Sequence, residues 1–148
     1  MYYRKILIAT DGSDSSIKSS RHGVKLAKSL GSDVLVLYVI NDMAISRFIA
    51  ALIRRGSTEE DLREKLKASA KKIVREVEKM GEASGVQVEP LIKEGDPASR
   101  ILDTARIEGV DLILMGSHGE GGGISSKLIG SVAQKVLNWS DTPVMIVR

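Results

Sequence analysis

Three apolar runs constrain this chain more than any other feature. Residues 6–9, 34–40 and 110–115 are nearly unbroken in Val, Ile and Leu. Each is short for a helix and lacks the alternation of a half-exposed strand. Strands read this way when both their faces are covered, as in a parallel sheet flanked by helices. The segments between the runs have helical character. Thr10-Asp11-Gly12-Ser13 ends the first strand and opens a helix near Asp14. That helix carries Ile17, Val24, Ala27 and Leu30 at helical spacing and stops at Gly31. Ser57 and Glu60 stand at the spacing of a capping box. Leu62, Leu66, Ala70, Ile73, Val77 and Met80 then carry a long helix to the glycines at 81 and 85.

The remaining elements complete the alternation. Residues 86–92 alternate apolar and polar and contain Pro90. Proline cannot donate to a ladder, so this strand belongs at an edge. Asp96-Pro97 has the signature of an N-cap followed by a first helical residue. Ile101, Leu102, Ala105 and Ile107 supply apolar positions for that helix. A last helix is expected over 131–139 and a last strand over 143–147. The predicted fold is α/β: a five-stranded parallel sheet, order 3-2-1-4-5, with helices on both faces, Rossmann-like. The winding reverses between strands one and four in that order, and ligands bind beyond the strand carboxyl ends at such a reversal. Residues 1–148 fit one domain.

The loop after strand one is 10–13. The loop after strand four is Gly-Ser-His-Gly-Glu-Gly-Gly-Gly from Gly116, and Gly130-Ser131 follow where the last helix starts. Glycine lets a ligand approach the main chain, and peptide N–H groups at a loop-to-helix junction hold phosphate. Glycine chemistry and topology therefore point to one cleft. A plain surface loop is the competing reading. The N–H groups of Gly116, Gly119, Gly130 and Ser131 are the candidate phosphate donors, with the Ser131 hydroxyl as a further one. Asp11 either accepts from ribose hydroxyls or caps the first helix. His118 either contacts phosphate or helps catalysis, or else is a structural or solvent-facing group.

Composition removes several classes. Lys and Arg number 22 against 19 Asp and Glu, a net charge of +3, and aromatics are 3%. That surplus and that aromatic content do not suit a nucleic-acid partner. No apolar run reaches membrane-spanning length, so no membrane partner is expected. Met-Tyr-Tyr-Arg-Lys passes directly into the first strand, which leaves no room for a signal peptide. Cysteine is absent, which excludes disulfides, thiol catalysis and thiolate metal sites; a cytoplasmic protein is the expectation.

The chain resembles the universal stress protein family, ATP-binding type. The likeness runs through residues 6–13, 34–40, Glu94-Gly95-Asp96-Pro97, Asp111 through Gly119, Gly130-Ser131-Val132 and Thr142-Pro143-Val144. The family's nucleotide-binding members carry Gly, two residues, Gly, nine residues, then Gly-Ser or Gly-Thr. Gly116, Gly119 and Gly130-Ser131 match in type and order, with ten residues between Gly119 and Gly130, one more than the family spacing. The extra residue is assigned to the glycines at 121–123. The resemblance implies an adenine nucleotide: ATP, ADP or AMP, with or without magnesium. It also implies nucleoside contacts at Thr10 and Asp11, a backbone contact to adenine at Val39, and phosphate contacts at Gly116, Gly119, Gly130, Ser131 and Val132. Homodimers formed through the last strand, 142–148, are implied as well. The nearly unrelieved apolar strand Val144-Met145-Ile146-Val147 supports that independently.

Three function classes compete: a nucleotide-binding stress-response or regulatory protein acting as a dimeric switch, a slow ATPase or nucleotide-transferring enzyme, and a receiver or flavin module. The second lacks an evident base, a carboxylate cluster and a Walker-type Gly-Lys-Ser/Thr. The third lacks an Asp after strand three, which ends Lys93-Glu94-Gly95, and lacks flanking aromatics. No catalytic residue or metal site is assigned. Residues 43–56 place Ile45, Phe48, Ile49, Leu52 and Ile53 on one helical face. That segment is either a helix packed on its own domain or a lid or surface for a protein partner.

Overall fold

The computed structural model describes residues 2–118 and 128–148. Its elements run β1 (Lys5–Ala9), α1 (Asp14–Leu30), β2 (Asp33–Asn41), α2 (Asp42–Arg54), α3 (Glu59–Ser84), β3 (Val88–Gly95), α4 (Pro97–Ile107), β4 (Leu112–Gly116), α5 (Ser131–Trp139) and β5 (Val144–Val147). The strands form one sheet in the order β3-β2-β1-β4-β5, every pair parallel. The expected order and the edge position of the proline-bearing strand are both found.

Alternation along β1 builds both cores. Leu7 and Ala9 face one side, with Leu35, Leu37, Ile113 and Met115, under Ile101 and Ala105 of α4 and Ala133 and Val136 of α5. Ile6 and Ile8 face the other, with Val34, Val36, Leu112 and Leu114, under Val24 and Ala27 of α1 and Val74 and Val77 of α3. Register follows, since Leu7 lies opposite both Leu35 and Ile113. A one-residue slip would exchange these faces throughout the strand. Burying each Leu or Ile is worth about 1.5–3 kcal/mol.

Several boundaries differ from the sequence expectations, each for a local reason. The capping box of α3 is Thr58 with Asp61, not Ser57 with Glu60. Ser57 is still committed to the preceding helix, its N–H donating to the carbonyl of Leu52. The fourth strand starts at Leu112, not at residue 110. Val110 N–H remains bonded to Ala105 O at the end of α4, while the Asp111 carboxylate accepts from the N–H groups of Arg4 and Lys5 at 2.8 and 3.0 Å. The third strand runs later than 86–92, over Val88–Gly95, because β2 continues to Asn41 and keeps β3 paired alongside. No helix among the described residues is long and apolar enough to cross a membrane.

Candidate functional site

The sheet order puts the carboxyl ends of β1 and β4 side by side at the winding reversal, and a cavity of about 780 Å³ opens there. That volume is within the range of small-molecule sites. Thr10, Asp11, Val39, Gly116, His118, Gly130, Ser131 and Val132 all line it. Eight of the nine residues singled out in the sequence thus meet in one place; Gly119 lies outside the described residues, as does the extra residue at 121–123.

The β1–α1 turn is built by short local bonds. Thr10 N–H continues the ladder to Leu37 O at 3.0 Å, and the Thr10 hydroxyl donates to Ser16 Oγ at 3.0 Å. Gly12 takes φ +80°, which L side chains rarely adopt, and an added Cβ there would meet Ile73 at 2.7 Å. Ser13, not Asp11, caps α1 by accepting from Ser16 N–H. Asp11 instead accepts from Ser13 N–H at 2.9 Å, an Asx turn that fixes the carboxylate at the cavity wall. The capping role considered for Asp11 thus falls to Ser13.

The β2 wall presents backbone. Leu37 O is bonded to Thr10 N–H, and alternation along the strand turns the N–H and C=O of Val39 to the same side. β1 has ended by then, so these groups face the cavity. Val39 is thereby placed to read a hydrogen-bonding edge of a ligand without using its side chain.

The opposite wall is a helix N-terminus. Gly130 is the N-cap of α5 and supplies no side-chain cap to the first N–H groups. Among the described residues no side chain caps these donors, and a helix N-terminus carries partial positive charge and aimed N–H groups, the arrangement that holds an anion. Gly130 takes φ −62° and ψ 160°, conformations open to any residue, so its value is the absence of a side chain and not backbone freedom. Gly116 has another explanation. A Cβ there would lie 2.6 Å from Ser15 Oγ and 3.0 Å from the Ser15 carbonyl carbon and oxygen, so close packing of α1 on β4 excludes one. His118 is held rather than loose: its Nδ1 shares a 2.8 Å hydrogen bond with the buried Ser117 hydroxyl.

Sequence reasoning missed part of the lining. Ala44 and Phe48 of α2 and Leu62 and Leu66 of α3 form an apolar end, across from the glycines and serines of the polar end. Asn41, N-cap of α2 through Met43 N–H at 3.0 Å, stands at the joint. The legible signal was the capping residue directly after strand two, which starts α2 at the cavity edge. Next to Pro97 of the cavity lining, Asp96 caps α4 and accepts from Ser99 N–H and Oγ at 3.0 and 2.9 Å. These bonds, helped by Lys135 and Arg100, hold its carboxyl below the ordinary carboxylate range. A shallower groove of about 590 Å³ between α3 and β3, lined by Lys72, Arg75 and Pro90, opens elsewhere on the molecule. It does not include the residues gathered at the strand ends.

Comparison with known proteins agrees with the fold. Universal stress protein MJ0531 of Methanocaldococcus jannaschii is 36% identical over 146 residues, spanning 99% of this chain and 82% of its own. The structure of hypothetical protein MJ0577, from the same organism, superposes with a TM-score of 0.84 at 32% identity, covering 99% of this chain and 96% of that one. A universal stress protein solved in complex with cAMP shares the fold, with a TM-score of 0.73 at 23% identity, covering 100% and 98% of the two chains. The family model for universal stress proteins matches residues 2–148, and the chain belongs to the universal stress protein family.

Proposed function

We propose that residues 1–148 act as one adenine-nucleotide-binding domain, taking ATP, ADP or AMP, and that the protein works in stress response as a dimeric nucleotide-dependent switch. One observation carries the reading: the N-terminus of α5, with glycine at its N-cap, and the cavity-facing backbone of Val39 flank the end of β1 within a single cavity. The phosphates lie against Gly130, Ser131 and Val132, the ribose near Thr10 and Asp11, and the base at Val39. The relative solved with cAMP holds an adenine nucleotide on the same fold. Magnesium in this reading takes its ligands chiefly from phosphate oxygens and water.

Dimerisation in this reading uses the open edge of β5. Ile113 N–H donates to Pro143 O, and Ser117 N–H donates to Val147 O. The ladder therefore turns the backbone of Val144 and Ile146 outward, where a second copy pairs antiparallel about a two-fold axis. Leu137 and the exposed Trp139 supply apolar surface on α5 nearby. Hydrolysis is slow in this reading: Asp11, Tyr38 and His118 are the titratable groups among the described lining residues, and fast phosphoryl transfer needs a positioned nucleophile with charge clamps. Mass spectrometry of ligand released from purified, denatured protein tests the proposal. Release of an adenine nucleotide supports it. No released nucleotide, together with no calorimetric binding of ATP at millimolar concentration, overturns it.

A further inference from the structure

The cavity has two chemically different ends, and Phe48 stands at the apolar one. It is the only phenylalanine in the chain. It lines the cavity, yet it is 59% exposed and belongs to none of the three apolar clusters among the described residues. Its helix explains this. Ile45 and Ile49 of α2 turn inward and pack with Ile40 and Ala70, which anchors the helix. Ala44 and Phe48, one turn apart, share a different face and look into the cavity. The small Ala44 leaves space beside the ring. A large aromatic surface is thus held over a concave site without contributing to the core, and the fold gains little from it there.

We propose that Phe48 is a specificity-determining residue that stacks on the base of the bound nucleotide and covers it from solvent. The inference rests on the nucleotide reading above. Two features match the chemistry. The backbone groups of Val39 face the cavity at the same end, so an edge of a planar heterocycle is met by the strand while its face is left for a ring. The N-terminus of α5 lies across the end of β1, so a ligand with an anionic end and a planar apolar end fills both halves. Stacking reads a π-face and not a pattern of donors, so Phe48 favours nucleobases over base-free phosphates without choosing strongly between adenine and guanine.

Calorimetric titration of wild type, Phe48→Ala, Phe48→Leu and Phe48→Trp with ATP, and with inorganic tripolyphosphate as a base-free probe, tests this. The exposed position makes all three variants compatible with folding. ATP affinity should fall about ten-fold in Phe48→Ala and less in Phe48→Leu, and persist in Phe48→Trp, while tripolyphosphate affinity stays the same in all four proteins. A wild type that binds ATP alongside an unchanged Phe48→Ala overturns the inference and leaves the nucleotide reading intact. Equal losses for ATP and tripolyphosphate also overturn it, because the ring would then act on the phosphate end. A wild type that binds no ATP overturns the nucleotide reading and this inference with it.

Discussion

The N–H of Gly130 donates to the carbonyl of Ser117 at 2.7 Å. This bond ties the end of β4 to the N-cap of α5, although residues 118–129 intervene in the chain. The frame that presents the helix N-terminus is therefore held at its two ends. Loop closure costs only about 0.6 kcal/mol per doubling of length, so one added residue changes it little. Deleting Gly122, which restores the nine-residue spacing of the family, should leave ATP affinity within about three-fold of wild type, on the same argument that the ends are pinned. A larger change in calorimetric titration would show that the loop itself, and not its pinned ends, sets the phosphate site.

Gly116→Ala should destabilise the fold. The new Cβ would lie 2.6 Å from Ser15 Oγ and 3.0 Å from two Ser15 backbone atoms, and the backbone of α1 cannot swing aside as a flexible side chain can. Overpacking of this kind costs about 1–3 kcal/mol. Urea unfolding with an unchanged midpoint would refute the packing explanation for this glycine.

Much of the architecture was legible because single residues carried single physical meanings. Pro90 could not donate to a central ladder, so it placed β3 at the edge. Asp96-Pro97 marked the start of α4, and the bonds to Ser99 confirm the cap. The capping box was displaced by one residue because Ser57 and Thr58 each have an acidic residue three positions on, and the Ser57 N–H is already taken by the Leu52 carbonyl. Gly116 was read as a phosphate contact; the packing of Ser15 against it is a tertiary fact that no local pattern shows. Phe48 was noticed only as part of an apolar helical face. Which side of α2 meets the core and which the cavity depends on the joint at Asn41. The polar end of the site was readable because glycine and helix-start signals are local, whereas the apolar end is assembled from two separate helices.

The Asp96 cap gives a pH dependence with a definite sign. Its folded pKa is lowered, first by the Ser99 backbone hydrogen bond and then by the Ser99 hydroxyl. A lowered carboxylate stabilises the fold above its unfolded pKa of roughly 4, and that contribution is lost as pH falls through the folded value. Asp96→Ala should therefore cost about 1 kcal/mol near neutral pH, with the difference from wild type shrinking as pH drops below about 4. Thermal unfolding of both proteins across that range checks it, and a difference independent of pH would assign the loss to something other than the charged cap.

The β5 edge predicts a solution assembly. Charge substitutions at Val144 and Ile146 would not test it cleanly, since both side chains pack against the core under α4 and α5. Ile146→Pro acts on the outward N–H instead, and edge strands tolerate proline there. Light scattering at micromolar concentration should give a dimer for wild type and a monomer for the variant. A dimeric variant, or a monomeric wild type, would remove β5 as the interface.

Phosphate held by the N-terminus of α5 is the central claim, and Gly130→Asp probes it most directly. The backbone at Gly130 suits any residue, and aspartate at an N-cap stabilises a helix by a few tenths of a kcal/mol relative to glycine. The variant should melt at or above the wild-type temperature. Its carboxylate, however, takes the place and the charge of the anion. Titrating both proteins with ATP should show saturable binding to wild type, one nucleotide per chain, and affinity at least about ten-fold weaker in Gly130→Asp. Equal ATP affinity in two folded proteins would contradict the account.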